Sequence, residues 1–122
     1  MKKALVVDDS RTIRNLLAGI LEEMGIEVAG FAADGEEAIV AFQRIRPDLV
    51  TLDITMPRAD GLLCLERMKQ FDPRTAIVII SALSDERTAL TALKKGAAGF
   101  IKKPFTPEEV KRTLSHVLEV TA

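Results

Sequence analysis

The chain has 122 residues, 48% of them apolar and 29% charged, which suits one globular domain with a sizeable core and leaves no room for two. Its 17 Lys and Arg against 18 Asp and Glu give a net charge of −1, so there is no general electrostatic attraction to nucleic acid or to an anionic membrane. One cysteine, Cys64, and the absence of Trp and Tyr exclude an intrachain disulfide and a cysteine metal cluster, and leave little aromatic material for base stacking.

Lys2 and Lys3 precede the apolar run Ala4 to Val7. That run is too short for a signal peptide or a membrane span, so a soluble cytoplasmic protein is expected and the run reads as a buried strand. Asp8-Asp9-Ser10 stops it; one of the two aspartates is expected to cap the helix that follows. Ile13, Leu16, Leu17, Ile20, Leu21 and Met24 recur at spacings of three and four and form one apolar helical stripe, closed by Gly25. Glu27 to Ala32 is a more polar strand, suited to a sheet edge. After Asp34-Gly35, residues Ala38, Ile39, Phe42 and Ile45 mark a second helix, which Pro47 ends.

Residues 49–53 form a third strand, an apolar run that climbs to one carboxylate, Asp53, before the turn Pro57 to Asp60-Gly61. Leu62, Leu65 and Met68 mark a third helix, with Cys64 beside them as a core residue; Asp72-Pro73 ends it. Ala76 to Ile80 is the most apolar run in the chain and reads as a central strand, ending at Ser81. Ser84-Asp85-Glu86 supplies an N-cap with acids in the first turn, favourable to the helix dipole. Leu90 and Leu93 are expected on the inner face of this fourth helix, which Gly96 stops. A brief fifth strand, Gly99-Phe100-Ile101, leads to Lys102-Lys103-Pro104. Thr106-Pro107-Glu108-Glu109 is a capping box with proline at N1, and Val110, Leu114, Val117 and Leu118 face inward from the last helix.

Strands therefore recur about every 22–27 residues, each followed by a helix, as in a parallel α/β sheet with right-handed crossovers. In such a sheet all strand C-termini share one rim, and ligands bind outside that edge. Asp8-Asp9, Asp53, Ser81 and Lys103 would meet there. Three carboxylates so close cannot all ionise without a counter-charge. A hard divalent cation with oxygen ligands, Mg²⁺, answers that need. A rim that combines a metal, the Lys103 ammonium and the Ser81 hydroxyl around a central carboxylate suits a phosphoryl group. A carboxylate can attack phosphorus to form an acyl phosphate, while positive charge neutralises the equatorial oxygens. Asp53 is then the nucleophile, Asp9 a direct metal ligand, Asp8 a direct or water-mediated one, and the Thr55 backbone carbonyl completes the shell. Taken singly, each residue has a plainer reading: a helix cap, a loop serine, a solvated lysine. Their joint occurrence at four strand ends favours the site.

At these positions the sequence resembles the response-regulator receiver domain, of the single-domain chemotaxis-regulator type. The matching pieces are Leu5-Val6-Val7-Asp8-Asp9, Asp53-Ile54-Thr55-Met56-Pro57 with Gly61, Ser81-Ala82, and Lys103-Pro104-Phe105, in order and at matching spacing across essentially the whole chain. The resemblance implies a flavodoxin-like (βα)5 fold with strand order 2-1-3-4-5, residues 1–122 being a single receiver domain. It implies Mg²⁺-dependent phosphoryl transfer onto Asp53 from a sensor histidine kinase or a histidine phosphotransfer protein, replaceable by acetyl phosphate. Autodephosphorylation by water resets the state, and the protein is not an enzyme in its own right. Phosphorylation draws Ser81 inward, Phe100 turns in behind it, and the face of helix four, strand five and helix five changes its affinity for a downstream target protein. Phe100 stands where some members carry Tyr and has no hydroxyl to hydrogen-bond, so plain core packing is its competing reading. The resemblance also implies a cis Lys103-Pro104 bond. Thr55 and Leu83 occupy the positions that tune phosphoryl lifetime, and the apolar Leu83 is expected to hinder the attacking water. No direct nucleic-acid or membrane partner is expected, and the oligomeric state is monomer or weak dimer.

Other readings are a receiver fragment of a larger regulator, a phosphorelay intermediate, or a receiver that no longer signals by phosphorylation. A flavin mononucleotide protein on this fold is disfavoured because Asp8-Asp9 would repel the flavin phosphate. A phosphohydrolase of the haloacid dehalogenase class wants a second Asp two residues beyond the first, where this chain has Thr55. His116, the lone histidine, is read as solvated or half-buried and uninvolved, and Lys94, Lys95 and Lys102 as solvated or partner-facing.

Overall fold

The computed structural model describes residues 2–56, 61–82 and 86–121, and side chains as far as Glu119. Its elements alternate: β1 (Lys3–Val7), α1 (Arg11–Glu23), β2 (Glu27–Ala32), α2 (Gly35–Ile45), β3 (Leu49–Leu52), α3 (Gly61–Phe71), β4 (Ala76–Ser81), α4 (Glu86–Lys94), β5 (Gly99–Lys102) and α5 (Pro107–Thr121). All pairings are parallel, in the order β2-β1-β3-β4-β5. This is the flavodoxin-like topology that the family resemblance implied. The expected edge strand is β2, and the all-apolar Ala76–Ile80 run lies within β4, whose six residues are all buried between β3 and β5.

Strand alternation divides the core in two. Leu5, Val7, Val50, Leu52, Ile77 and Ile79 face α2 and α3, meeting Ala38, Phe42, Leu65 and Met68. Ala4, Val6, Leu49, Val78 and Ile80 face the other way, against Leu17, Ile20 and Leu21 of α1 and Val110, Leu114 and Val117 of α5. Because both faces are covered, the strands read as unbroken apolar runs and not as alternating ones. Cys64 is buried in the first cluster, as expected.

The helix ends follow local chemistry. Asp34 caps α2 by accepting the Glu37 N–H at 2.9 Å. At α5 the capping box forms both ways: Thr106 Oγ1 accepts the Glu109 N–H at 3.2 Å, and Glu109 Oε1 accepts the Thr106 N–H at 3.3 Å. Gly25 and Gly96 take the left-handed conformation, φ +77° and +107°, that ends their helices.

Several expectations need correction. The N-cap of α1 is Ser10, whose Oγ accepts the Ile13 N–H at 3.3 Å, and not Asp8 or Asp9. Asp8 sits one step further back and accepts the Ser10 N–H at 2.9 Å. Leu16 is 43% exposed, and Leu90 and Leu93 are 55% and 46% exposed. Periodicity assigned all three inward, but Ala92 is the residue of α4 that meets the core. β3 stops at Leu52, one residue short of Asp53, and β5 extends one residue further, to Lys102. Pro57, Asp60, Leu83, Ser84 and Asp85 lie outside the described residues, and with them the turn after Asp53 and the cap expected for α4.

Candidate active site at the C-terminal rim of the sheet

The rim is assembled by backbone register. The Asp8 N–H donates to Ala32 O at 3.0 Å, and the Asp53 N–H donates to Val7 O at 2.9 Å. Asp53 is thereby fixed beside the end of β1, one residue past the last paired residue of its own strand. The Lys103 N–H donates to Ser81 O at 2.9 Å, which locks the start of the β5–α5 connection to the end of β4. The Lys103-Pro104 peptide is cis, as the resemblance implied.

The side chains converge as the strand ends do. One oxygen from each of Asp8, Asp9 and Asp53 lies within 4.8 Å of the others. Asp8 and Asp53 are buried, at 1% and 2% exposure, while Asp9 is exposed. Lys103 reaches between the buried pair: its Nζ donates to Asp8 Oδ2 at 2.8 Å and to Asp53 Oδ2 at 3.3 Å. Ser81, the last residue of β4, is fully buried on the same rim. Phe100 is half-buried against the core cluster on the α2 and α3 side, one strand over from Ile79.

Burial acts first on the titrating groups. Desolvation pushes the Asp8 carboxyl up from its ordinary value, and the Lys103 hydrogen bond and the Ser10 N–H offset this only in part. Desolvation would push the Lys103 ammonium down, but its hydrogen bond to Asp8 and the charge of Asp53 outweigh that, so it is held above its ordinary value. Among the described residues the site is short of positive charge: one ammonium faces three carboxylates. This donor set of hard oxygens, with one carboxylate exposed and two buried, fits Mg²⁺.

Two residues make contacts at the site that were not expected from sequence. Thr55 was expected at the site through its carbonyl; beyond that role, its N–H and its hydroxyl both donate to Asp53 Oδ1, at 2.8 and 2.6 Å. The sequence signal was present in Asp-x-Thr, a pattern suited to a side chain accepting from the backbone two residues on. Arg14 Nη1 donates to Asp8 O at 2.8 Å, so a residue of α1 holds the backbone of the acidic pair. No spacing rule connects Arg14 to Asp8, because the contact depends on how α1 leaves the rim. His116 is exposed on α5.

Comparison with known proteins agrees with this geometry. The family model of the response regulator receiver domain matches residues 4–115. The chemotaxis protein CheY of Thermotoga maritima is 39% identical over 95% of this chain and 97% of its own length. CheY of Halobacterium salinarum is 41% identical over 96% of this chain and 97% of its own length. Among solved structures, a chain of the CheX-CheY-BeF3-Mg+2 complex from Borrelia burgdorferi superposes with a TM-score of 0.93 at 38% identity, covering 96% of this chain and 89% of that one. With its strand order, its rim and its relatives in agreement, the chain belongs to the response regulator receiver domain family and is of the CheY-like kind.

Proposed function

We propose that the protein is a phosphoacceptor switch: a histidine kinase or histidine phosphotransfer protein passes a phosphoryl group to Asp53, and the altered α4–β5–α5 face binds a downstream protein. The observation that carries this reading is the Lys103 ammonium shared between two buried carboxylates, Asp8 and Asp53. A structural ion pair needs one carboxylate for one lysine; an excess of buried acid facing an open rim is a site built for a cation.

In this reading a carboxylate oxygen of Asp53 attacks phosphorus. The new O–P bond forms as the P–N bond to the donor imidazole breaks, and the imidazole leaves with the bond's electrons and takes up a proton. Thr55, through its N–H and hydroxyl on Oδ1, orients the Asp53 carboxylate before transfer. Lys103 neutralises charge on the incoming phosphoryl oxygens, and in this reading Ser81 donates to one of them. Asp8, Asp9 and Asp53, with the Thr55 carbonyl, would hold Mg²⁺. Bound there, the ion supplies the remaining positive charge against the phosphoryl oxygens. Ser81 and Phe100 then carry the change outward. The exposed Leu90 and Leu93 of α4 supply apolar surface for the target on that face. The protein turns over only its own phosphoryl group and is not an enzyme toward other substrates. Residues 1–122 act as one receiver domain, monomeric or weakly dimeric.

The reading is tested by incubating the protein with acetyl phosphate and Mg²⁺ and measuring intact mass. One added phosphoryl group is expected, absent in Asp53→Ala and absent when Mg²⁺ is chelated. Incorporation that persists in Asp53→Ala would remove the assignment.

A further inference from the structure

We propose that the groove between α2 and α3 is a docking site for an acidic, partly apolar peptide segment of a partner protein, open whatever the state of the carboxylate rim. The groove lies at the opposite end of the molecule. Helices in this fold run back against the strands, and the chain leaving α2 is tied to the strand starts: Asp48 N donates to Lys3 O and Ala76 N to Asp48 O. Beside that end, a cavity of about 250 Å³ opens between the last turns of the two helices, with Phe42 at its floor and Arg46, Phe71 and Asp72 in its walls. It continues along the helix pair past Ile39 and Arg67.

Its chemistry is mixed. Phe42 is 2% exposed and belongs to the core, whereas Phe71 is 55% exposed, a large aromatic face presented to solvent. Two arginines flank this apolar strip, and neither Arg46 nor Arg67 has an ion-pair partner among the described residues. Asp72, the one acid in the lining among the described residues, is already engaged: its Oδ1 accepts the Arg74 N–H at 3.0 Å and the Arg74 Nε–H at 3.2 Å. Glu66, on the same helix, pairs with Lys95. A chain of net charge −1 thus sets two arginines around an exposed aromatic residue, with Asp72, whose carboxyl feels the Arg46 charge, offsetting them only in part.

The complementary ligand carries carboxylates beside apolar side chains. Arginine forks bind carboxylates in two-point fashion, and an exposed aromatic at a groove mouth is the usual anchor for a docked apolar residue. A helical segment with Phe or Leu at i, i+4 and i+7 and Glu between them meets both demands. None of these groove residues touches Asp53, so binding is independent of phosphorylation, and the groove serves as a constant tether while the rim switches. The inference does not rest on the phosphoacceptor reading.

The test is a titration of isotope-labelled protein with a synthetic amphipathic peptide of that pattern, alongside the same peptide with Lys replacing every Glu. Saturable amide shifts are expected at Ile39, Arg46, Arg67 and Phe71 with the acidic peptide only, weakening as salt rises. Arg46→Glu with Arg67→Glu, and separately Phe71→Ser, should each weaken binding about tenfold or more. These positions are exposed, and unchanged thermal unfolding would show the variants folded. Acetyl phosphate with Mg²⁺ should leave the affinity unaltered. Equal binding of the Lys peptide, shifts confined to α1, α4 or α5, or no saturable shift would each overturn the proposal. So would self-association abolished by the same substitutions, which would make a second copy of the chain the occupant.

Discussion

At the scale of single residues, the site is held by contacts that leave little freedom. Gly61 opens α3 directly against the loop that carries Asp53. A Cβ there would lie 2.3 Å from Ile54 Cα and 2.9 Å from its carbonyl carbon. Backbone cannot yield as a side-chain tip can, so Gly61→Ala must displace either α3 or the segment after Asp53. We expect a loss of about 3 kcal/mol, read as a lowered denaturation midpoint with an unchanged slope. Wild-type stability in this variant would mean that the close approach is unnecessary. Asp53 itself was legible as a carboxylate ending an apolar strand, since that needs only the local run and its alternation-free pattern. The double donation from Thr55 was not, because whether its N–H and hydroxyl both reach the Asp53 carboxylate depends on the path of the loop.

Among elements, burial separates helices that periodicity makes look alike. In α5, Leu114 is fully buried and Val117 nearly so, whereas in α4 Leu93 is 46% exposed and Ala92 is fully buried. Leu114→Ala should therefore cost about 2–5 kcal/mol by leaving a cavity. Leu93→Ser should change stability by less than about 0.5 kcal/mol, measurable in the same denaturant titration. A large loss in Leu93→Ser would show that α4 packs through its leucines after all. The reason the sequence misleads at α4 is physical: a nine-residue helix over the sheet margin meets the core through one small residue. A leucine at helical spacing signals some apolar contact, and a partner can supply that contact as well as the core can. Capping was far more legible. Thr106 and Glu109 form their box from residues three apart, with no information needed from elsewhere in the chain.

For the whole molecule, the charge arrangement couples folding to pH and, through the proposed Mg²⁺ site, to a cation. Burial raises the Asp8 carboxyl above its ordinary value of 3.8. The folded state therefore keeps that proton to higher pH than the unfolded chain does. The contribution to stability is present at low pH and is lost as pH rises from 3.8 through the raised folded value. Were Asp8 to hold Mg²⁺ as proposed, it would have to do so ionised, and the ion would stabilise the folded protein more strongly above that window than below it. Thermal unfolding with and without Mg²⁺ should show a larger upward shift at about pH 7.5 than at about pH 4, and Asp8→Asn should flatten the difference. A Mg²⁺ shift of equal size at both pH values would sever the link between this carboxylate and the cation.

The sequence by itself determined the alternation of strands and helices, the two-sided burial of the sheet, and the four strand ends that carry acid, hydroxyl and amine. Each of these is written in local runs of apolar residues and the polar residues that stop them. What only the tertiary structure decided were relations between segments far apart in the chain. Lys103 stands 95 residues from Asp8, and its ammonium bridges Asp8 and Asp53 because β5 and β1 both open on one rim. Arg14 grips the Asp8 carbonyl, Leu90 and Leu93 are left to solvent, and Arg46 and Arg67 frame an exposed Phe71 across two helices. Spacing along a chain fixes which face of its own element a residue occupies; which neighbour meets that face is settled only when the elements pack.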